Sequence, residues 1–256
     1  MRKSVLAIAA HPDDIEFVMA GTLLRLAEKG WELHYFNIAN GAYGSMTQGP
    51  HDCAATRLQE AQNAAKTLGA RFYPPICDDM NVFYSPDLLA KVVAVVRQAA
   101  PSVVLTHSPV DYMEDHQNAC RLAVSAAFVR GMPNMTSQPP QPPCSGSVAL
   151  YHAQPHGNRT PLDEIVYPQY IVDITRQMEK KTELLRCHVS QESWLDSTQK
   201  MSSYAMTMWD LGREVGTMSQ QFEFGEGWRR HLHLGLGEPD FDPLVAELSP
   251  QLLPCT

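Results

Sequence analysis

The sequence predicts an α/β fold: a doubly wound, mostly parallel sheet with helices on both faces and a C-terminal elaboration. Two observations carry this prediction. Apolar runs such as Ser4 to Ala10 lack polar alternation, the pattern of strands buried on both faces. Strand-like and helix-like segments also alternate along the chain, which calls for parallel pairing through right-handed crossovers.

Taken in order, Ser4 to Ala10 is the first strand. A polar elbow follows, then a helical pattern from about Glu16 to Lys29, closed by Gly30 as its C-terminal cap. Leu33 to Ile38 reads as the second strand and runs into the loop Ala39 to Ser45. Ala54 to Leu68 is Ala-rich and helical, with Gly69 as its stop, and Arg71 to Tyr73 is a short strand before Pro74 and Pro75. Leu88 to Ala99 is a helix, Ser102 to Thr106 a buried strand, and His116 to Arg130 a further helix. Residues 131–147 carry Pro133, Pro139, Pro140, Pro142 and Pro143, a density that excludes helix and central strand. That stretch is either a tolerated surface insertion, the reading we prefer, or a stiffened flap near a pocket. Val148 to His152 and Tyr170 to Ile174 are strands, and Thr175 to about His188 is a helix. The last third, Trp194 to Arg230, mixes Met, Trp and Gln in a mostly helical pattern. No repeat or linker interrupts the chain, so residues 1–256 read as a single domain whose elaboration starts at about residue 192.

Composition narrows the function. The 256 residues hold 20 Lys+Arg against 28 Asp+Glu, a net charge of −8. That balance argues against nucleic acid or an anionic membrane as partner, since both call for a basic face. No apolar run approaches the ~18 residues of a membrane span. The opening MRKSVLAIAA mimics a signal peptide but stops at His11, so a first strand and a cytoplasmic protein are expected. Cys53, Cys77, Cys120, Cys144, Cys187 and Cys255 show neither CxxC nor zinc-finger spacing and read as reduced structural thiols. Gly41 and Gly44 lack the GxGxxG spacing of dinucleotide binders, and no GxSxG elbow is present.

Two places carry chemistry. His11-Pro12-Asp13-Asp14 sits where a buried strand meets a helix, and in open α/β sheets ligands bind beyond the carboxyl ends of the strands. Pro12 stiffens the turn. One of two consecutive carboxylates there is placed to bind a metal while the other faces the metal's open position; an ordinary helix cap is the competing reading. The second place, Asp111-Tyr112-Met113-Glu114-Asp115-His116, follows another strand on the same edge. Two His and an Asp from two strand ends, with water in the fourth position, is the arrangement of a catalytic zinc.

The stretch AIAAHPDDIEFVMAGTLLRLAEKG resembles the start of the LmbE-like/PIG-L deacetylase family. So do NGAYGS, the Arg57-x-x-Glu60 helix ending LGA, DYMEDH, and KTELLRCHVSQ from Lys181 to Gln191. The resemblance implies a Rossmann-like zinc-dependent hydrolase that removes acyl groups from N-acetylglucosamine-type amines. It implies His11, Asp14 and His116 as metal ligands, Asp13 as general base, and Arg57 and Asp79 as substrate contacts. Zinc, or another divalent metal, lowers the pKa of bound water from 15.7 toward ~7, and Asp13 accepts its proton and passes it to the leaving amine. The implied partner is a small N-acylated amino sugar or glycoconjugate, with no nucleotide cofactor.

One departure stands out. The family usually has His three positions before the last ligand, paired with the nearby Asp115; this chain has Met113. Losing one oxyanion donor typically costs ~2.7–4 kcal/mol. Either another histidine takes the role, or the substrate needs less help, or the protein is a weak or silent metal-binding member. Among His107, His152, His156 and His188 we expect His188 and His152 to be the replacements. A thiol-conjugate amidase is the remaining alternative. Glu16 is expected to support the elbow through backbone hydrogen bonds. Ala42, where many members carry an acid, bears on substrate choice. Met201, Met206, Met208 and Trp209 read as helix core or a subunit contact, compatible with a homo-oligomer, and Trp228-Arg229-Arg230-His231 as a solvated basic run.

Overall fold

The computed structural model describes residues 3–191 and 204–254. Trp194 and Met201 of the sequence reading lie outside the described residues. The strands are β1 (Ser4–Ala9), β2 (Glu32–Asn37), β3 (Arg71–Tyr73), β4 (Val103–Thr106), β5 (Ala149–Ala153), β6 (Tyr170–Asp173), β7 (Gly225–Arg230) and β8 (Leu252–Pro254). They form one eight-stranded sheet in the order β3-β2-β1-β4-β5-β7-β6-β8. The run β3 to β5 is parallel throughout, whereas β7 pairs antiparallel with β5 and β6, and β8 antiparallel with β6.

The helices are α1 (Asp14–Val18), α2 (Ala20–Glu28), α3 (Pro50–Leu68), α4 (Pro86–Ala99), α5 (Glu114–Val129), α6 (Met178–Leu185), α7 (Tyr204–Ser219) and α8 (Pro243–Leu248). Side chains of β1 alternate between two cores, as the two-residue period of a strand requires. Val5, Ala7 and Ala9 pack with Ile15, Leu23 and Leu26 of α1 and α2 and with Met178 and Leu184 of α6. Leu6, Ile8 and Ala10 pack with Val92 and Val96 of α4 and Leu122 and Ala126 of α5. Because β1 feeds α1 toward β2 while β4 lies on its other side, the strand order reverses between β1 and β4, the crevice where open α/β sheets bind ligands.

Several expectations meet corrections. The helix expected over Glu16 to Lys29 is two helices, broken at Met19. Gly69 closes α3 with a left-handed φ of 77°, as read. The basic run Trp228-Arg229-Arg230 is strand β7, with Trp228 wholly buried and Arg229 donating to Ser108 Oγ at 2.7 Å. Its ladder lies between β5 and β6, so its backbone needs sheet partners rather than water. Residues 131–147 form neither helix nor strand and line no part of the cavity described below; Arg97 holds them by donating to the carbonyls of Met132 and Gln141. No helix among the described residues is long and apolar enough to cross a membrane. Cys53, Cys77, Cys120, Cys144 and Cys187 are free thiols.

Candidate active site

The elbow after β1 is built under strain. Asp13 has a φ of 108°, a value that costs a non-glycine residue about 1–3 kcal/mol and persists only where its surroundings impose it. Here they do: Asn37 donates to the His11 carbonyl, Arg57 donates to the Pro12 carbonyl, and Phe17 N–H donates to the Asp13 carbonyl at 3.0 Å. The twisted backbone sends consecutive carboxylates two ways. Asp14 turns toward β4, and Asp13 turns toward α3 and α7.

Asp14 sits among three imidazoles. Its Oδ2 accepts the His11 N–H at 2.7 Å and lies 3.4 Å from His11 Nδ1; its Oδ1 lies 3.3 Å from His116 Nε2. Ligand atoms of His11, Asp14 and His116 all fall within 4.8 Å of one another. The opposite nitrogen of each imidazole meets a carboxylate. His11 Nε2 lies 3.0 Å from Asp115 Oδ2, and His116 Nδ1 lies 2.9 Å from Asp111 Oδ1. Such an outer carboxylate fixes tautomer and ring orientation in histidine metal sites. In the family pattern Asp115 pairs with a histidine at position 113; in this chain, which has Met113, it meets His11 and also accepts the Met80 N–H at 2.7 Å.

Electrostatics tell the same story. Burial opposes charge on both imidazoles, yet Asp115 and Asp14 raise His11 to about 9, and Asp14 and Asp111 raise His116 to about 10. Burial alone would raise Asp14; facing His116 and His107 outweigh it and hold its carboxyl well below the usual range. The three aspartates draw positive charge into the gap between the imidazoles, and a divalent cation meets that demand with neutral imidazole ligands. Two nitrogens and a carboxylate oxygen are a fitting donor set for zinc.

A second group, His107, Asp111 and His116, is equally close-set. Its donors are spent on protein: His107 Nε2 accepts the Ala10 N–H at 2.9 Å, and Asp111 Oδ1 holds His116. The His107 ring stacks on His116, centroids 4.2 Å apart, and buttresses it.

A cavity of about 260 Å³ opens above the elbow, lined by His11, Asp13, Asp14, Phe17, Tyr43, Arg57, Asp79, Met113, His116, His156, Gln191 and Tyr204 among others. Asp13 Oδ2 takes Tyr204 OH at 2.5 Å and Arg57 Nη2 at 3.2 Å. Burial pushes the Asp13 carboxyl up, with Asp14 adding to it and Arg57 opposing, so its proton affinity exceeds that of an exposed aspartate. Arg57 reaches this point by crossing Gly41, whose φ of 77° and bare Cα make the passage: a Cβ there would stand 2.9 Å from Arg57 Cγ. Asp79 lines the cavity, but its oxygens accept the N–H groups of Gly41 and Tyr43 at 2.7 and 2.9 Å, so it shapes the loop.

The two histidines expected to replace the role missing at Met113 lie outside the lining. His188 is 1% exposed, 3.4 Å from Glu16 Oε2. Glu16 itself takes Tyr35 OH at 3.1 Å, a side-chain contact where backbone bonds were expected. His152 faces the other way, Nδ1 toward the His107 carbonyl at 3.0 Å and Nε2 toward His231 at 2.9 Å; burial pushes it down to about 4. His156 does line the cavity. The late segment through Gln191 docks on α3: Glu60 accepts Ser190 N–H and Oγ–H at 2.7 and 2.8 Å, and Gln191 donates to the Gly44 carbonyl. Sequence reasoning missed Tyr204, which no local pattern marks. It also assigned Asp111 no role, although a carboxylate beside a ligating histidine is a recognisable signal.

Fold and site together define a Rossmann-like α/β protein with a candidate metal-binding centre at the β1/β4 crevice. Residues 6–128 match the family model of PIG-L, GlcNAc-PI de-N-acetylase. Over that first half the chain thus resembles the PIG-L (LmbE-like) deacetylases, and its similarity to deacetylases runs further along the sequence. It is 28% identical over 200 residues to a diacetylchitobiose deacetylase of Thermococcus kodakarensis, covering 74% of this chain and 70% of that protein. It is 28% identical over 201 residues to a 4-oxalmesaconate hydratase of Pseudomonas putida, covering 75% of each. Among solved structures, the N,N'-diacetylchitobiose deacetylase of Pyrococcus horikoshii, complexed with its inhibitor MPG, superposes with a TM-score of 0.74 at 26% identity, covering 94% of this chain and 88% of that one.

Proposed function

We propose that this chain is a divalent-metal-dependent N-deacetylase acting on an N-acetylglucosamine-type sugar or a glycosylated small molecule. The observation that carries the reading is the His11–Asp14–His116 donor set facing a cavity with Asp13 beside it. His11, Asp14 and His116 would hold the ion, with Asp115 and Asp111 orienting the imidazoles. When bound, such an ion, zinc by its donors, polarises the amide carbonyl and makes water nucleophilic near neutral pH.

The remaining work falls to side chains. Asp13, its proton affinity raised by burial, takes a proton from the attacking water as oxygen bonds to the acyl carbon. The same carboxyl then gives that proton to the departing nitrogen as the C–N bond breaks, releasing acetate and the free amine. Arg57 and Tyr204 hold Asp13 in place for both transfers. Phe17, Tyr43, Tyr112 and Tyr204 give the cavity apolar faces suited to the C–H faces of a sugar ring. Arg57 is the one Lys or Arg among the described lining residues, beside Asp13, Asp14 and Asp79. That balance disfavours a multiply anionic substrate such as oxalmesaconate and favours a neutral acetamido sugar.

The test is acetate release from N-acetylglucosamine and N,N'-diacetylchitobiose, with and without a chelator. Turnover that the chelator abolishes and Asp13→Asn lowers by at least 10² supports the reading and removes a catalytically silent binding role. Full activity in Asp13→Asn sinks the assignment of the base.

A further inference from the structure

We infer that His156 donates a hydrogen bond to the acyl oxygen of the substrate amide, a catalytic role that rests on the deacetylase reading above. Addition of water to an amide places negative charge on that oxygen, and a fixed donor aimed at it is usually the largest single contribution to the rate. The cavity wall contains few candidates. His11 and His116 spend their outer nitrogens on Asp115 and Asp111 and direct the others at Asp14. Arg57 is held by Asp13, Tyr204 OH lies on the same carboxyl, and Gln191 donates to Gly44. Met113, at the start of α5, offers a thioether, which has no proton to donate.

His156 is differently placed. It lines the cavity from the β5–β6 connection, and its ring nitrogens make no hydrogen bond to any described residue. Yet its position is fixed. Its backbone N–H donates to Asp111 Oδ2 at 3.2 Å, while Oδ1 of that carboxylate holds His116. One buried aspartate thus sets both the imidazole facing Asp14 and the imidazole facing the cavity. The His156 ring packs between Phe17 and Tyr112, centroids 5.4 and 5.7 Å away, which restricts its rotation. A neutral imidazole always carries one N–H, so donation requires no change of charge. Tyr43 and Tyr112 are the rival donors, but both rings are half exposed and no described residue holds either hydroxyl.

The experiment uses the metal-loaded full chain with N,N'-diacetylchitobiose as probe. His156→Phe keeps a ring between Phe17 and Tyr112 and removes the donor; His156→Leu is a second removal. Both are expected to lose about 10²–10³ in kcat and the same factor in kcat/KM, because the bond strengthens only in the transition state. Metal content and melting temperature stay at wild-type values, and His156→Gln recovers part of the rate. A wild-type rate in either removal variant overturns the inference, as does a loss seen in Tyr112→Phe but not in His156→Phe. A wild-type chain that releases no acetate from any N-acetyl sugar overturns the deacetylase reading itself, and this inference with it.

Discussion

Asp111→Asn isolates the orientation of the metal-side imidazoles from the ligands themselves. Asp111 is wholly buried and accepts three hydrogen bonds: His116 Nδ1–H at 2.9 Å and Met113 N–H at 3.1 Å on Oδ1, and His156 N–H at 3.2 Å on Oδ2. An asparagine has one oxygen to give. If that oxygen takes the Oδ1 place, the amide NH₂ confronts the His156 N–H, donor against donor. If it takes the Oδ2 place, the NH₂ confronts His116 Nδ1 and drives the ring proton to Nε2, the nitrogen facing Asp14. Either arrangement weakens the centre. Loss of an outer-shell partner of this kind typically costs 10–100-fold in metal affinity, about 1.4–2.7 kcal/mol. The assay is competition for zinc against a chromogenic chelator, with Asp78→Asn as control, since the exposed Asp78 receives the Asn40 amide at 2.6 Å and touches neither imidazole. A folded Asp111→Asn chain with wild-type zinc affinity and wild-type turnover would refute the reasoning that Asp111 presets His116.

Further outcomes follow from the same geometry. His152 is buried neutral, pushed down to about 4, so the unfolded chain binds the extra proton between pH 4 and 6.5; stability present above 6.5 is lost as pH falls toward 4. The full contribution is roughly 3 kcal/mol, and urea melts of His152→Gln are expected to lose less stability across that window than wild type; parallel curves refute the assignment. Lys181→Met leaves Glu226 buried without its 2.6 Å partner and is expected to destabilise by about 3–5 kcal/mol, with Lys181→Met/Glu226→Gln recovering part of that in the same melts. Gly216→Ala drives a Cβ into the Glu223 carbonyl, a backbone clash that is expected to cost about 1–3 kcal/mol without altering metal affinity; a melting temperature equal to wild type contradicts it.

Local signals made the parallel half of the molecule legible. The unbroken apolar run of β1, the Gly69 stop and the order of elements up to α5 are short-range features, and the structure follows them within a few residues. The His11-Asp13-Asp14 and Asp111-to-His116 segments were legible as a site because parallel strands put their carboxyl ends on one edge. What escaped was set by long-range pairing. Gly225-Glu226-Gly227-Trp228 has two glycines, a glutamate and no β-branched residue, so strand propensity is weak there despite Trp228. Its strand exists because β5 and β6 flank it and because its glycines let neighbours approach: a Cβ on Gly225 would lie 2.6 Å from Ile171 Cγ2. The reach of Tyr204 to Asp13 spans 191 positions, and no period or motif announces such a contact.

The antiparallel half does more than extend the sheet. Glu226 on β7 accepts the N–H groups of Gly21 and Thr22 at 2.8 and 2.7 Å, which satisfies buried donors in the first turn of α2. Lys181 on α6 neutralises that carboxylate, and Trp228 Nε1 donates to Thr22 Oγ1 at 2.9 Å. These bonds make the break at Met19 tolerable, because a second helix start inside the core would otherwise leave backbone donors unpaired. The break leaves α1 a five-residue helix separate from α2, and α1 begins at Asp14 itself. The elements that sequence reading found hardest to place therefore anchor the turn that aims the residues it found easiest to pick out. A lesion at Lys181 or Glu226, neither of which lines the cavity, is accordingly expected to disturb Asp13 and Asp14 through the α1–α2 joint, as weakened metal binding in chains that remain folded.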